Sequence, residues 1–174
     1  MNTSAELVIR FADLDDIPTI GYLAQQIWPV TYGAILPQGQ LEYMLEMMYS
    51  PESLNDQITK QHHRFLMAEL DEEAVGFASF GALEDEGVYK LHKIYVLPQT
   101  QGLGVGRALL DFVTEQILEE GASALRLYVN RYNKAKDFYE KQGFSVTREV
   151  DTEIGNGFRM TDFEMEKPVQ KMPG

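Results

Sequence analysis

Gln101-Gly102-Leu103-Gly104-Val105-Gly106 is the stretch on which the fold turns. Its glycines alternate with larger residues. The β-prone run Lys90-Leu91-His92-Lys93-Ile94-Tyr95-Val96 precedes it, and an amphipathic stretch follows. Glycines spaced this way let the backbone bend tightly and approach a ligand with no Cβ in between. The first N–H groups of the next helix have no intrahelical acceptors and favour negative charge. Strand, glycine turn and helix start together predict a phosphate cradle.

The spacing then separates the known cradles. A dinucleotide fold wants G-x-G-x-x-G directly after a strand. Here the third glycine comes one position early, and Arg107 takes the expected place. The segment Leu97-Pro98-Gln99-Thr100-Gln101 also parts strand from glycine. A nucleoside-triphosphate P-loop needs Gly-Lys-Ser/Thr, which is absent. A bare turn with no ligand needs one glycine rather than three.

Outward from the turn, the pattern reads as alternating helices and strands. Glu6–Ala12 is a first strand. Asp13 to Asp16 caps a helix with Pro18 in its first turn, and Pro29 closes that helix near Trp28. Gln38–Tyr49 is a second helix, with Leu41, Met44, Leu45 and Met48 at helical spacing, a stripe suited to core. Ser50-Pro51-Glu52-Ser53 breaks it and starts a third, to about Gln61. Phe65–Leu70, Ala74–Ala82 and Val88–Val96 read as an antiparallel meander joined by acidic turns. Gly104–Glu120 carries Val105, Ala108, Leu109, Phe112, Val113 and Ile117 on one helical face, and Gly121 ends it. Leu125–Val129 is a strand and Asn133–Gln142 a short helix. Phe144–Val150 and Arg159–Met165 pair as the last strands, and the tail Pro168–Gly174 is expected to fray. This order predicts a mixed α/β fold (α+β), with a parallel step only around the glycine-rich helix.

Bulk properties bound the function. The chain has 174 residues, room for one domain with a sizeable core, and a single domain over 1–174 is expected. No apolar run approaches the roughly 20 residues of a membrane span, and Met1–Glu6 has no basic-then-apolar leader pattern. The chain has no cysteine, which removes disulfides, Cys-ligated metals and a Cys nucleophile, and fits a cytoplasmic location. Lys and Arg number 15 against 27 Asp and Glu, a net charge of −12. Such a surface repels nucleic acid and anionic membranes, and it attracts cationic amines. Solubility alone also accounts for it.

Two segments carry a family resemblance. Ile94-Tyr95-Val96-Leu97-Pro98, the run Gln101 to Gly106 and Leu109-Leu110 resemble the acyl-CoA-binding motif of the GNAT N-acetyltransferases, written Arg/Gln-x-x-Gly-x-Gly/Ala. Asn133-Lys134-Ala135, then Phe138-Tyr139-Glu140-Lys141-Gln142-Gly143-Phe144, resemble that family's downstream segment. The resemblance runs from Val8 to Lys167, strongest over Leu91–Phe144 and weakest between Trp28 and Gln61. It implies the GNAT fold: a largely antiparallel central sheet, splayed at a parallel step beside acyl-CoA, with helices on both faces. It also implies transfer of an acetyl group from acetyl-CoA, a co-substrate, to a primary amine, with no metal.

The resemblance assigns roles by position. The amides of Gln101, Gly102, Leu103, Gly104, Val105, Gly106 and Arg107 would hold the pyrophosphate, and the Arg107 side chain either adds charge or is solvated. Backbone amides of Ile94, Tyr95 and Val96, freed by a bulge or splay, would face the acetyl carbonyl. Tyr139 would give a proton to the leaving thiolate. Asn133 and Ala135 would meet the pantetheine arm, though Asn133 also suits a helix cap and Tyr139 a core position. His92 shares a strand face with Ile94 and titrates in the range a general base needs, where some family members carry a Glu; a water chain is the alternative. His62 and His63 are expected to be solvated. Trp28, Tyr32 and Tyr43 are aromatic candidates for the acceptor, worth about 0.5–2 kcal/mol to a cation over a ring, or else they pack in the core. The layout is loosely similar to bacterial polyamine N-acetyltransferases. The expected partner is thus a small-molecule amine, with neither nucleic acid nor membrane, and a homodimer is left open. The alternatives are a non-catalytic CoA-binding sensor or interaction module, and acetylation of a protein or peptide amine.

Overall fold

The structure, a computed structural model, describes residues 6–169. It orders the chain as β1 (Leu7–Phe11), α1 (Ile17–Tyr32), α2 (Gln38–Tyr49), α3 (Pro51–Thr59), β2 (Arg64–Leu70), β3 (Glu73–Ala82), β4 (Val88–Val96), α4 (Val105–Glu119), β5 (Ala124–Asn130), α5 (Ala135–Lys141), β6 (Ser145–Gly155) and β7 (Phe158–Pro168). Short 3-10 turns at Leu14–Asp16 and Pro98–Thr100 complete it. No helix among the described residues is long and apolar enough to cross a membrane.

The chain divides into two compact units. The first takes in the residues up to Gly81 together with His92–Val113. Its strand order is β1-β2-β3-β4, with β1–β2 and β2–β3 antiparallel and a register shift at Ala68/Glu69. Helix α1 buries Ile20, Leu23, Ala24, Ile27 and Trp28, and α2 adds Leu41, Met44 and Leu45, so most of the methionine-bearing stripe is core. Phe77 and Phe80 of β3 and Leu109, Leu110 and Val113 of α4 are also sealed from solvent, each side chain contributing about 1.5–3 kcal/mol. At the start of α1, Asp13 accepts from the Asp15 N–H while Asp16 accepts from the Asp13 N–H. Arg10 grips Asp16 through both carboxylate oxygens, at 2.8 and 3.0 Å, which holds that carboxyl below its ordinary range.

The second unit takes in Ala82–Leu91 and the residues from Thr114 on. Its strand order is β4-β5-β7-β6. The β4–β5 pair is parallel, Val88 opposite Ala124 through Leu91 opposite Leu127, and the other two pairs are antiparallel. The parallel step falls where the sequence places it, across α4, because a crossover helix is what returns a strand in the same direction. Ile117, Leu125, Leu127, Phe144 and Met165 form this unit's core.

Three expectations are corrected. Pro29 does not close α1, which continues to Tyr32. The cost of the missing N–H is offset because continuation packs Tyr32 against Trp28 one turn away, ring centroids 4.6 Å apart and planes at 50°, with both residues buried. Strands β6 and β7 run longer than predicted, closed by a tight turn at Asn156 and Gly157, both with positive φ, the residue pair that such hairpin turns favour. The chain past β7 does not fray at once. Val169 is buried and its N–H donates to the Ser123 carbonyl at 2.9 Å, while residues 170–174 lie outside the described residues.

Candidate active site

In the first unit the glycine turn has the shape its sequence implies. Gly102 and Gly104 both lie in the left-handed region, with φ of 87° and 78°. A Cβ built on either meets nothing within 4 Å, so the backbone there is open to a ligand. Helix α4 starts at Val105, which leaves the Val105, Gly106 and Arg107 amides without intrahelical acceptors. These features fit a diphosphate. The Arg107 side chain is 71% exposed and 3.9 Å from Asp111, so it is solvated rather than folded over the turn.

Strand β4 leads into this turn. Its ladder to β5 ends at Leu91. Beyond that, the Leu97 N–H donates to Val75 O at 2.8 Å, and the Tyr95 carbonyl also faces β3, against Gly76. Alternation along a strand then turns the N–H groups of Ile94 and Val96 to the opposite edge. The end of the parallel ladder is what releases them from that pairing.

His92 is half-buried on β4, and its ring lies parallel to that of His63, with centroids 3.7 Å apart and planes at 12°. His63 is therefore not the solvated residue the sequence suggests, whereas His62 is exposed. The pairing joins a residue just before β2 to one on β4, and a Cβ on the nearby Gly81 would lie in ordinary contact with His92 Nε2 at 3.6 Å. Nothing in the local sequence encodes it.

Of the aromatic acceptor candidates, Tyr43 is half-buried on α2, and Trp28 and Tyr32 are brought together. Trp28 is 1% and Tyr32 5% exposed, so they are core residues rather than a surface. The Tyr32 hydroxyl shares a 2.8 Å hydrogen bond with that of Tyr95, and Trp28, Tyr49 and Phe77 surround this pair. Burial pushes the Tyr49 phenol well above its ordinary range, with the Trp28 indole as the opposing influence. Tyr49 escaped sequence reading, yet Leu41, Leu45 and Tyr49 repeat every fourth residue along α2, which was the available signal. Lys93 is buried beside this cluster. Its ammonium donates to Gln57 Oε1 at 2.7 Å and lies 5.7 Å from the ring centres of Tyr49 and Phe65.

In the second unit, Tyr139 is 7% exposed on α5, edge-on to Phe138 and Phe144. Asn133 Oδ1 accepts from the Ala135 N–H at 2.9 Å, so the side chain caps α5 as its residue type favours.

Comparison with known proteins finds a family and relatives over most of the chain. The model of the acetyltransferase (GNAT) domain matches residues 33–167. A spermidine N(1)-acetyltransferase of Thermoplasma acidophilum is 29% identical over 164 residues, covering 91% of this chain and 95% of that one. A ribosomal protein bS18 alanine N-acetyltransferase of Haemophilus influenzae is 37% identical over 103 residues, covering 58% and 67%. The crystal structure of the PaiA N-acetyltransferase of Thermoplasma acidophilum, in complex with coenzyme A, superposes with a TM-score of 0.78 at 28% identity, over 94% of this chain and 99% of that one.

Proposed function

The chain belongs to the GNAT acetyltransferase family, and from that premise we propose that it transfers the acetyl group of acetyl-CoA to the primary amine of a small cation such as a polyamine. One observation carries the donor half of this reading: Gly102 and Gly104, left-handed and open, directly ahead of the free amides that begin α4. A CoA-bound structural relative supports it.

Acetyl-CoA supplies an activated thioester. The amides of Gly102, Gly104, Val105, Gly106 and Arg107 bind its pyrophosphate, where the helix start favours negative charge, whereas the Gln101 and Leu103 N–H groups, expected from the sequence to join them, already donate to the Pro98 and Thr100 carbonyls. Ile94 and Val96 N–H groups donate to the acetyl carbonyl oxygen as negative charge develops on it. His92 takes the proton that an alkylammonium must lose before its nitrogen attacks. Tyr139 holds a phenolic proton for the departing thiolate, and Asn133 with Ala135 lines the pantetheine arm. No cysteine exists to carry an acyl group, so transfer is direct, within a ternary complex.

For the acceptor, the spermidine-acetylating relative and the net charge of −12 support a polyamine. A peptide amine is the second reading, favoured by the ribosomal-protein-acetylating relative. Turnover of acetyl-CoA over a panel of polyamines, simple amines and peptides decides between them. Binding of CoA, seen as a thermal shift, without turnover of any amine would overturn the proposal. Replacing Tyr139 by Phe should slow turnover at saturating acetyl-CoA by at least about tenfold, the low end for loss of an acid catalyst. Full turnover would remove Tyr139 from that role.

A further inference from the structure

We propose that Lys90 and Asp162 form a binding site for an α-ammonium and the carbonyl oxygen next to it, the pair of groups found in a free amino acid or an amino-terminal residue. The ammonium goes to Asp162 and the oxygen to Lys90. The site lies within the second unit, on one face of its sheet. Residues directly opposite on neighbouring strands share a face. Lys90 of β4 stands opposite Arg126 of β5. Arg126, Tyr128 and Asn130 of β5 stand opposite Glu166, Glu164 and Asp162 of β7, and Arg148 of β6 stands opposite Glu164.

The charges on this face pair off with one exception. Arg126 binds Glu166 at 2.9 Å, and Arg148 binds Glu164 at 3.0 Å. The hydroxyls of Tyr128 and Thr147 also donate to Glu164, each at 2.7 Å. Lys90 and Asp162 are left, both half-buried. Asp162 Oδ1 is buried and has no hydrogen-bond partner. The Lys90 ammonium lies over the Tyr128 ring, 4.6 Å from its centre. It attracts Asp162 through space, but no hydrogen bond or ion pair joins the two.

Opposite charges removed from water and held out of contact carry a desolvation cost that no direct bond offsets. A ligand that hydrogen-bonds to both ends offsets it at once. That ligand must offer a cationic donor to Asp162 and an oxygen acceptor to Lys90. A polycation would set like charge beside Lys90, and an isolated carboxylate would do so beside Asp162. An α-ammonium with its adjacent carbonyl oxygen meets both needs. The position suits a ligand as well. The parallel β4–β5 ladder ends at Leu91 and Leu127, so Tyr128 to Asn130 run on past the last β4 partner. The carboxyl end of parallel strands is where such sheets take ligands. The inference concerns binding and stands whichever amine is acetylated.

The test is a titration of the whole protein with glycinamide, without acetyl-CoA, followed by 1H–15N NMR of the Tyr128, Asn130 and Asp162 amides. At pH 7 Asp162, titrating near 6, is mostly ionised, and an α-amino group, titrating near about 8, is mostly protonated. Glycinamide should shift these signals saturably. Ethylamine, with the ammonium alone, and acetamide, with the oxygen alone, should bind at least about tenfold more weakly, each lacking one charge-assisted hydrogen bond. Asp162→Asn and Lys90→Met should each weaken glycinamide binding by a similar factor, and Lys90→Gln replaces the Met variant should that fold poorly. Tighter binding of glycine than of glycinamide assigns the site to a free amino acid, and the reverse to an amino-terminal residue. No saturable shift with either overturns the proposal. So does ethylamine binding as well as glycinamide, or glycinamide affinity unchanged in either variant.

Discussion

Asp162 sits on β7 with Oδ1 buried and without a hydrogen-bond partner. Burial pushes its carboxyl up to about 6, against the attraction of Lys90. Lys90 responds in kind, its ammonium drawn below the ordinary range mainly by burial, with its nitrogen 4.6 Å from the Tyr128 ring centre. A carboxyl whose pKa is raised on folding binds a proton more tightly in the native state. Its contribution is fully present below the unfolded value near 3.8 and is lost as pH rises through about 6. The shift corresponds to an upper bound of about 3 kcal/mol, which partial exposure reduces to about 1–2 kcal/mol. Asp162→Asn should therefore gain stability relative to wild type by about 1–2 kcal/mol between pH 4 and pH 7. Denaturant unfolding of both proteins at the two pH values measures this, and a difference independent of pH would show that the carboxyl titrates normally. Glu164, two residues on, behaves oppositely. Tyr128, Thr147 and Arg148 all donate to it, and together they hold it below the ordinary range despite burial.

At the scale of elements, α1 shows how tertiary packing overrides a local rule. Pro29 is exposed and interior to the helix, so the Gln25 carbonyl one turn earlier loses its usual donor. Pro29→Ala restores that donor and should stabilise the protein by about 1–3 kcal/mol. Thermal unfolding checks it; a neutral or destabilising effect would mean the helix relies on the proline for its approach to Tyr32. The same element shows what the sequence could and could not convey. Periodicity and punctuation are local, so α2, α4, β4 and the parallel step after the glycine turn were legible, as was the tight turn at Gly102 and Gly104. Pro29 misled because the compensating contact, Trp28 on Tyr32, depends on burial. His63 against His92 and Tyr32 against Tyr95 were invisible for a different reason. Each joins residues far apart in the chain through strand register and helix packing, which no short window contains.

For the whole molecule, charge makes a prediction that no single residue does. A net charge of −12 on 174 residues produces a field that attracts a polycation and leaves a neutral or zwitterionic amine unsteered. Salt screens such a field, over about 30 Å at 0.01 M and about 10 Å at 0.1 M. If the acceptor is a polyamine, kcat/KM for it should fall several-fold as ionic strength rises between those limits, through KM, with kcat nearly constant. Acetyl-CoA is anionic, and its apparent affinity should hold or improve over the same range, since added salt weakens the repulsion it meets on approach. The opposed salt responses of the two substrates are the diagnostic. Solubility alone would give the acidic surface no reason to distinguish them. A polyamine kcat/KM that is flat in salt, measured alongside a neutral amine of similar size, would assign the charge to solubility and turn the search for the acceptor toward peptide amines.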